Sequence, residues 1–320
     1  MRTERFLVDN HRGWRLGLTR FRDETTELRG RPAIVVPGYG MNSFIFRFHP
    51  SGPSLVECLA ARGLEVWTVD LRGQGRSIRA ARGNNRYGLG DLAVDDVGAA
   101  IAHVMKTTAT NAETVDLVGC SLGTALAFGH VAIVPAAPVH AIVALAGLVT
   151  WQDAHPIVKL AYGSPKLAGI VRFTNTRRLA RFALPLATKV APGLLSVYLN
   201  ERSTDLSQVA RLVQTVEDPH PLINREIAEW IRRGDLVMRG VNVSARLPEL
   251  THPFLCVVAN QDGIVLPVTA RHTFDRIGSK HKEILFVGDD EMPVAHADLF
   301  LFKGAEERVF APVADFLLSA

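Results

Sequence analysis

No stretch of this sequence stays apolar for long enough to cross a bilayer. The longest greasy run, Ile133 to Val149, is broken by Pro135, Pro138 and His140, whereas a spanning helix needs about 20 apolar residues. The opening residues, Met1-Arg-Thr-Glu-Arg-Phe-Leu-Val-Asp9, lack the apolar core of a secretory leader, so a cytoplasmic protein is expected. Cysteine is scarce. Cys58, Cys120 and Cys256 are the only three, and their wide spacing matches neither zinc nor redox motifs. Reduced, mostly buried thiols are the expectation, and neither a metal nor another cofactor is implied. A dominant charge is also missing. The net charge is +4 at a sequence pI of about 9.1, and no stretch interleaves basic with aromatic residues, so nucleic acid is not an expected partner.

What is present is a core. The 320 residues are 48% hydrophobic and 21% charged, the balance of a soluble globular protein larger than one minimal domain. Short apolar runs alternate with amphipathic stretches, the rhythm of a mostly parallel sheet flanked by helices. Strands are expected at Phe6–Val8, Trp14–Phe21, Ala33–Val36, Glu65–Val69, Val115–Val118, Ala141–Ala146, Phe254–Val258 and Glu283–Val287. Helices are expected at Leu55–Ala61, from Asp91 as cap to Thr107, at Leu122–Val131, at Val268–Ile277, and over Gly304–Leu318 with a kink or restart at Pro312. From Thr150 to Leu247 the rhythm breaks, with helical periodicity and no convincing strand. Ser203 or Thr204 is the expected cap of a helix through Val216, and Ile223–Arg233 of another stopped by Gly234. An α/β core of residues 1–149 and 248–320, interrupted by a helical cap of residues 150–247, follows.

The segment Val115-Asp-Leu-Val-Gly119-Cys120-Ser121-Leu122-Gly123 carries the chemistry. Gly-x-Ser-x-Gly alone is a weak signal, and a plain strand–helix connection is the bland alternative. Here it sits between an apolar strand and an apolar helix, where a sharp turn thrusts the serine out of the sheet. Gly119 and Gly123 leave room that a Cβ would fill, and the following helix aims its free N–H groups at the site.

A serine hydroxyl needs a base. Of eleven histidines, His296 follows the last expected strand and falls at the carboxyl edge of the sheet, where open α/β sites assemble. His103, His130 and His272 fall inside helices, and His281 precedes a strand at the opposite edge. Asp262, after the Phe254–Val258 strand, is the expected partner of that histidine, although Asp-Gly is also a common turn pair. Asp289, Asp290 and Glu291 are expected to face solvent. Oxyanion donors are expected from the amides of Leu122 and Tyr39, the latter in the Pro37-Gly38-Tyr39-Gly40 loop. Asp70-Leu-Arg72-Gly-Gln-Gly-Arg76-Ser77 lacks the Lys-Ser/Thr of a phosphate loop and reads as an ordered turn with an Asp70–Arg72 or Asp70–Arg76 interaction.

Together these motifs, in this order, resemble the α/β-hydrolase superfamily over residues 1–149 and 248–320. The Asp70–Ser77 turn looks like that of monoglyceride-lipase-type esterases, and the His296-Ala-Asp298-Leu tail is similar to acid lipases and polyhydroxyalkanoate synthases. Those synthases use cysteine where Ser121 stands; Cys120, one residue earlier, is expected to point elsewhere. Pro37-Gly38 replaces the commoner His-Gly, which leaves the second oxyanion donor open. Serine at the elbow disfavours dehalogenase and epoxide-hydrolase chemistry. The resemblance implies an esterase- or lipase-like serine hydrolase with a Ser121–His296–Asp262 triad, acting on a small-molecule ester. Acyl transfer or thioester cleavage by the same triad, and a non-catalytic binding module, are the competing readings.

The first half of the insert is basic. It holds Lys159, Lys166, Arg172, Arg177, Arg178, Arg181 and Lys189 against Asp153 alone between Trp151 and Asn200. Phe173, Leu179, Phe182, Leu184, Leu186, Leu194 and Leu195 lie among them. This suits a lipid-like acyl substrate taken from an anionic membrane surface; a cap packed on the core with a solvated basic face is the alternative.

Overall fold

The computed structural model describes residues 1–80, 85–190 and 195–320. Leu194 and the side chain of Lys189 lie outside the described residues. Strands β1 (Arg2–Asp9), β2 (Trp14–Arg22), β3 (Ala33–Val36), β4 (Val66–Asp70) and β5 (Ile78–Arg79) open the chain. Then come β6 (Val115–Cys120), β7 (Val139–Leu145), the short pair β8 (Val237–Met238) and β9 (Val241–Asn242), and finally β10 (Phe254–Ala259) and β11 (Lys282–Val287). The main sheet runs β1-β2-β4-β3-β6-β7-β10-β11, with β5 attached to β2. Pairing is antiparallel from β1 to β4 and parallel from β4 onward.

Helices α1 (Leu55–Ala61), α2 (Val97–Thr107) and α3 (Leu122–Ile133) lie within the first half. Next are α4 (Pro156–Ala161), α5 (Pro165–Ile170), α6 (Thr176–Val190) and α7 (Pro221–Arg233), followed by α8 (Pro267–Arg276) and α9 (Ala311–Ser319). Side chains alternate across the strands, so the sheet buries both faces. Leu117 joins a cluster with Val97, Ile101, Leu126 and Phe254, whereas Val118 and Cys120 join one with Leu55, Leu59, Phe310 and Leu317. The mostly parallel, doubly covered sheet expected from the sequence is what forms.

Several local expectations are corrected. Gly88, not Asp91, caps the helical stretch leading into α2: Asp91 sits three residues in, and its carboxylate accepts the Gly88 N–H at 2.9 Å. Between Ser203 and Val216 the helical run starts later than expected and is mixed in type: 3-10 turns over Leu206–Gln208 and Val213–Thr215 flank one α-helical turn over Val209–Leu212 without a break. Their cap is Asp205, whose side chain accepts from Ser207 N–H at 2.8 Å, because Ser203 and Thr204 are engaged elsewhere. The insert does contain strand, the β8–β9 ladder. Arg72 does not pair with Asp70. It makes a buried pair with Asp96, closest at 2.6 Å, and Asn10 Nδ2 adds a bond of 2.7 Å to the same carboxylate. Asp70 instead accepts the backbone N–H groups of Ser43 and Arg76, both at 2.9 Å. The turn is ordered by amides, while the arginine ties it to the helix beyond.

Candidate active site

Ser121 follows β6 directly and carries φ 52° and ψ −118°, a conformation that L-residues avoid and that surroundings must enforce. The enforcement is visible. Its N–H donates to Leu145 O at 2.9 Å, and Thr124 Oγ1 donates to Gly119 O at 2.8 Å, closing the turn. A Cβ on Gly119 would lie 2.5 Å from the Thr124 backbone, and one on Gly123 only 2.2 Å from Val36 O. Both positions therefore exclude any side chain, and α3 can press against the end of β3. Cys120 points into the opposite core, where burial and the nearby Asp262 charge push its thiol well above the ordinary value. That is the reverse of what a nucleophilic thiol needs.

Asp262 and His296 come from loops after β10 and β11, the two adjacent parallel strands at that edge. Both are buried. Asp262 Oδ2 lies 2.7 Å from His296 Nδ1, and Oδ1 accepts the N–H groups of Ile264 and Val265, each at 2.8 Å. A carboxylate only accepts, so Nδ1 carries the proton and Nε2 is left with a lone pair. The Ser121 hydroxyl makes no hydrogen bond among the described residues, to His296 or to any other group. Hydrogen bonds from nucleophile to base commonly tighten only around substrate. β6 and β10 are separated by β7 alone, about 10 Å at ordinary strand spacing.

The loop after β3 brings its backbone to the serine: a Cβ on Gly38 would stand 3.1 Å from Ser121 Cβ. The amides of Tyr39 and Leu122 donate to no group among the described residues, and Leu122 opens α3, where orphan N–H groups gather. The Tyr39 ring points to the insert, its hydroxyl donating to Asn224 Oδ1 of α7 at 2.7 Å. Beside Ser121 lies a cavity of ≈ 190 Å³ walled by Leu122, Leu148, Trp151, Val158, Trp230 and Val265 among others.

Sequence reasoning gave Asp298 no role, yet its buried carboxylate gathers four donors. These are Ala295 N–H at 2.8 Å, Thr204 Oγ1 at 2.6 Å, Ser203 Oγ at 3.4 Å and Asn200 N–H at 3.0 Å. Burial pushes its pKa up to about 6, against the lowering effect of those bonds. Tyr198, whose ring centroid lies 5.8 Å from that of His296, was also unforeseen. The histidine-x-aspartate spacing was the only hint for Asp298; nothing in the sequence marked Tyr198. His103, His130 and His272 do lie in helices, His281 does precede β11, and Asp289, Asp290 and Glu291 are exposed. The three cysteines are free and buried. Among the described residues no cluster of histidine, cysteine and carboxylate side chains is placed to hold a metal ion, and no helix is long and apolar enough to cross a membrane.

Residues 33–287 match the family model described as serine aminopeptidase, S33. Comparison with curated proteins finds no match. Among solved structures, an esterase from Exiguobacterium antarcticum aligns at TM-score 0.64 and 15% identity, over 97% of this chain and 98% of its own. A thermophilic esterase from Thermogutta terrifontis aligns at TM-score 0.62 and 16% identity, over 100% and 99%. The monoacylglycerol lipase of Paleococcus ferrophilus aligns at TM-score 0.60 and 19% identity, over 95% and 98%. At such identities the likeness speaks for the fold.

Proposed function

This chain belongs to the serine aminopeptidase S33 family of α/β-hydrolases, and from that membership we propose that it cleaves carboxylic esters of apolar or lipid-like acyl groups through an acyl-enzyme. In this reading Ser121 attacks the acyl carbonyl, and His296 Nε2 takes its proton and returns it to the leaving alcohol. Asp262 holds the imidazole tautomer and stabilises the imidazolium, while the Leu122 and Tyr39 amides receive the oxyanion. Water, activated by the same imidazole, then releases the acid. Gly119 and Gly123 support the elbow.

The observation that carries this reading is the cavity at Ser121, whose described lining includes no charged side chain. A peptide amino terminus, an ammonium at neutral pH, would need a carboxylate there to offset its desolvation. An uncharged acyl group needs none. Reaction with a fluorophosphonate probe tests the assignment: wild type is labelled and Ser121→Ala is not. An inert wild-type protein would point to a binding module instead.

Residues 150–247 form the cap in this proposal. On α4 to α6 the residues Leu160, Leu179 and Phe182 are 86%, 69% and 70% exposed. Lys159 pairs with Asp153 and Arg177 with Glu217, whereas Lys166, Arg172, Arg178 and Arg181 have no ion-pair partner among the described residues. Exposed apolar side chains interspersed along the chain with unpaired cations fit the surface of an anionic membrane. Co-sedimentation with phosphatidylserine vesicles, lost at 0.5 M salt and absent with neutral vesicles, is the expected result; equal binding to both refutes it.

A further inference from the structure

The cavity at Ser121 carries more than the presence of an acyl site. Its floor comes from the sheet side, Leu148 and Val265, and its roof from the insert, Val158 on α4 and Tyr162 at its end with Ile227 and Ile231 on α7. Four rings stiffen the wall. Trp151 and Trp230 meet edge to face at 5.7 Å and 66°, and Tyr39 and Tyr162 at 6.2 Å and 74°. Two of the polar handles are engaged elsewhere: Trp230 Nε1 donates to Val149 O at 3.1 Å and the Tyr39 hydroxyl to Asn224. Trp151 Nε1 is buried without a hydrogen-bond partner. Apart from Ser121, the lining offers an occupant mostly carbon.

The space is small. A cavity of about 150 Å³ with such walls accepts a benzene, and one water-sized group occupies about 30 Å³. The ≈ 190 Å³ here therefore holds a single ring with a short tether, or a chain of about six to eight carbons. Three larger clefts, of ≈ 570, ≈ 640 and ≈ 590 Å³, share no lining residue with it. A narrow space of ≈ 30 Å³ shares Tyr39 and Leu122 with it and Tyr87 and His220 with the first of these clefts; at about the volume of one water it is too tight to pass an acyl chain.

We infer that this cavity sets an upper limit on the acyl group, so that the natural substrate carries an uncharged acyl portion of about six to eight carbons, linear or a single ring. The inference rests on the ester-hydrolase reading and narrows its lipid-like substrates to short and medium ones. Within the limit each added methylene contributes about 0.8 kcal/mol of burial, which is about fourfold in kcat/KM. Beyond it the chain must leave the cavity or force the cap apart, and the gain ends.

A series of p-nitrophenyl esters from acetate to laurate tests this. The expected kcat/KM climbs about fourfold per carbon, peaks between hexanoate and octanoate, and falls at least tenfold by laurate. Ile231→Ala should move the peak about two carbons longer, and Ile231→Trp should move it towards butyrate. Should these variants fold poorly, Ser121→Ala protein titrated with methyl hexanoate and methyl laurate gives a second reading through the indole fluorescence of Trp151 and Trp230. Hexanoate is expected to bind the tighter. A profile still rising at laurate, or laurate binding tighter, overturns the size limit. Absence of all ester turnover together with no fluorophosphonate labelling would instead sink the hydrolase reading.

Discussion

Replacing Asp262 by asparagine probes the proposed triad most sharply, because the surroundings dictate how the new amide must sit. Oδ1 receives two buried N–H groups, from Ile264 and Val265 at 2.8 Å each, and Oδ2 faces His296 Nδ1 at 2.7 Å. In Asp262→Asn the amide oxygen must take the Oδ1 place. The opposite rotamer would set an NH₂ against two donors and strand both, at about 1–3 kcal/mol each. The NH₂ therefore faces Nδ1, which must become the acceptor, and the imidazole proton moves to Nε2. An Nε2–H cannot accept the serine proton. The expected loss in kcat is about 10⁴-fold, or about 5.5 kcal/mol of transition-state stabilisation, with KM changed no more than about threefold and the melting temperature nearly held. Steady-state kinetics on p-nitrophenyl hexanoate and the rate of fluorophosphonate labelling both read it. A fall of less than tenfold in kcat would refute the assignment of Asp262 as the group that fixes the base.

Three further outcomes follow from particular contacts. Gly123→Ala places a Cβ at 2.2 Å from Val36 O, a backbone atom that cannot step aside, so loss of soluble folded protein is expected, and a urea midpoint within 0.5 M of wild type contradicts it. Arg72→Met leaves the Asp96 carboxylate buried with Asn10 and one amide for company, which should cost about 3–5 kcal/mol in urea unfolding, and adding Asp96→Leu should recover most of it. For Asp298, a folded pKa of about 6 against about 3.9 unfolded means that the folded state binds the proton first. Its contribution to stability thus rises as pH falls through 6 and levels off below about 4. The stability of wild type relative to Asp298→Asn should therefore grow by about 1 kcal/mol between pH 7 and pH 5. A gap that shrinks over that range has the wrong sign for this account.

What was legible in the sequence was what neighbours along the chain decide. Gly119 to Gly123 compresses strand, turn and helix into one short motif, and Gly63 and Gly234 mark helix ends by backbone freedom that shows in the residue name; both have positive φ. What stayed hidden depends on partners brought together by folding. Of the two arginines offered to Asp70, Arg76 does bond it, through its backbone N–H, whereas the Arg72 guanidinium goes to Asp96, a carboxylate farther along the chain. Ser203 and Thr204 were read as helix caps since their hydroxyls suit that role; Asp298, from the far end of the chain, takes them first. Hydroxyls and guanidinium groups choose among acceptors in space, and composition names the candidates without ranking them. The cavity shows the same limit. Trp151 and Trp230 lie 79 residues apart with no pattern linking them, and only their edge-to-face contact makes them one wall.

The insert meets the site in two mechanically separate ways, and that separation makes substrate size adjustable without loss of the base. Its return segment is stitched to the acid and histidine loops: Gly263 N–H donates to Val197 O, Ala297 N–H to Tyr198 O and Lys303 N–H to Ser203 O, at 3.0, 2.8 and 3.3 Å. Asp298 adds the bonds to Asn200, Ser203 and Thr204. The roof of the cavity is held otherwise. α7 is tied through Asn224 to Tyr39, through Trp230 to Val149 and through Glu226 to the Leu89 amide, and among the described residues no hydrogen bond joins it to the histidine loop. A roof side chain such as Ile231 can therefore change volume while Asp262 and His296 keep their 2.7 Å contact. In the proposed ester-hydrolase reading, the contacts that would select the acyl group and those that would orient the proton-transfer pair act through different segments of one insert, so a change of roof side chain should shift chain-length preference without disturbing the Asp262–His296 contact.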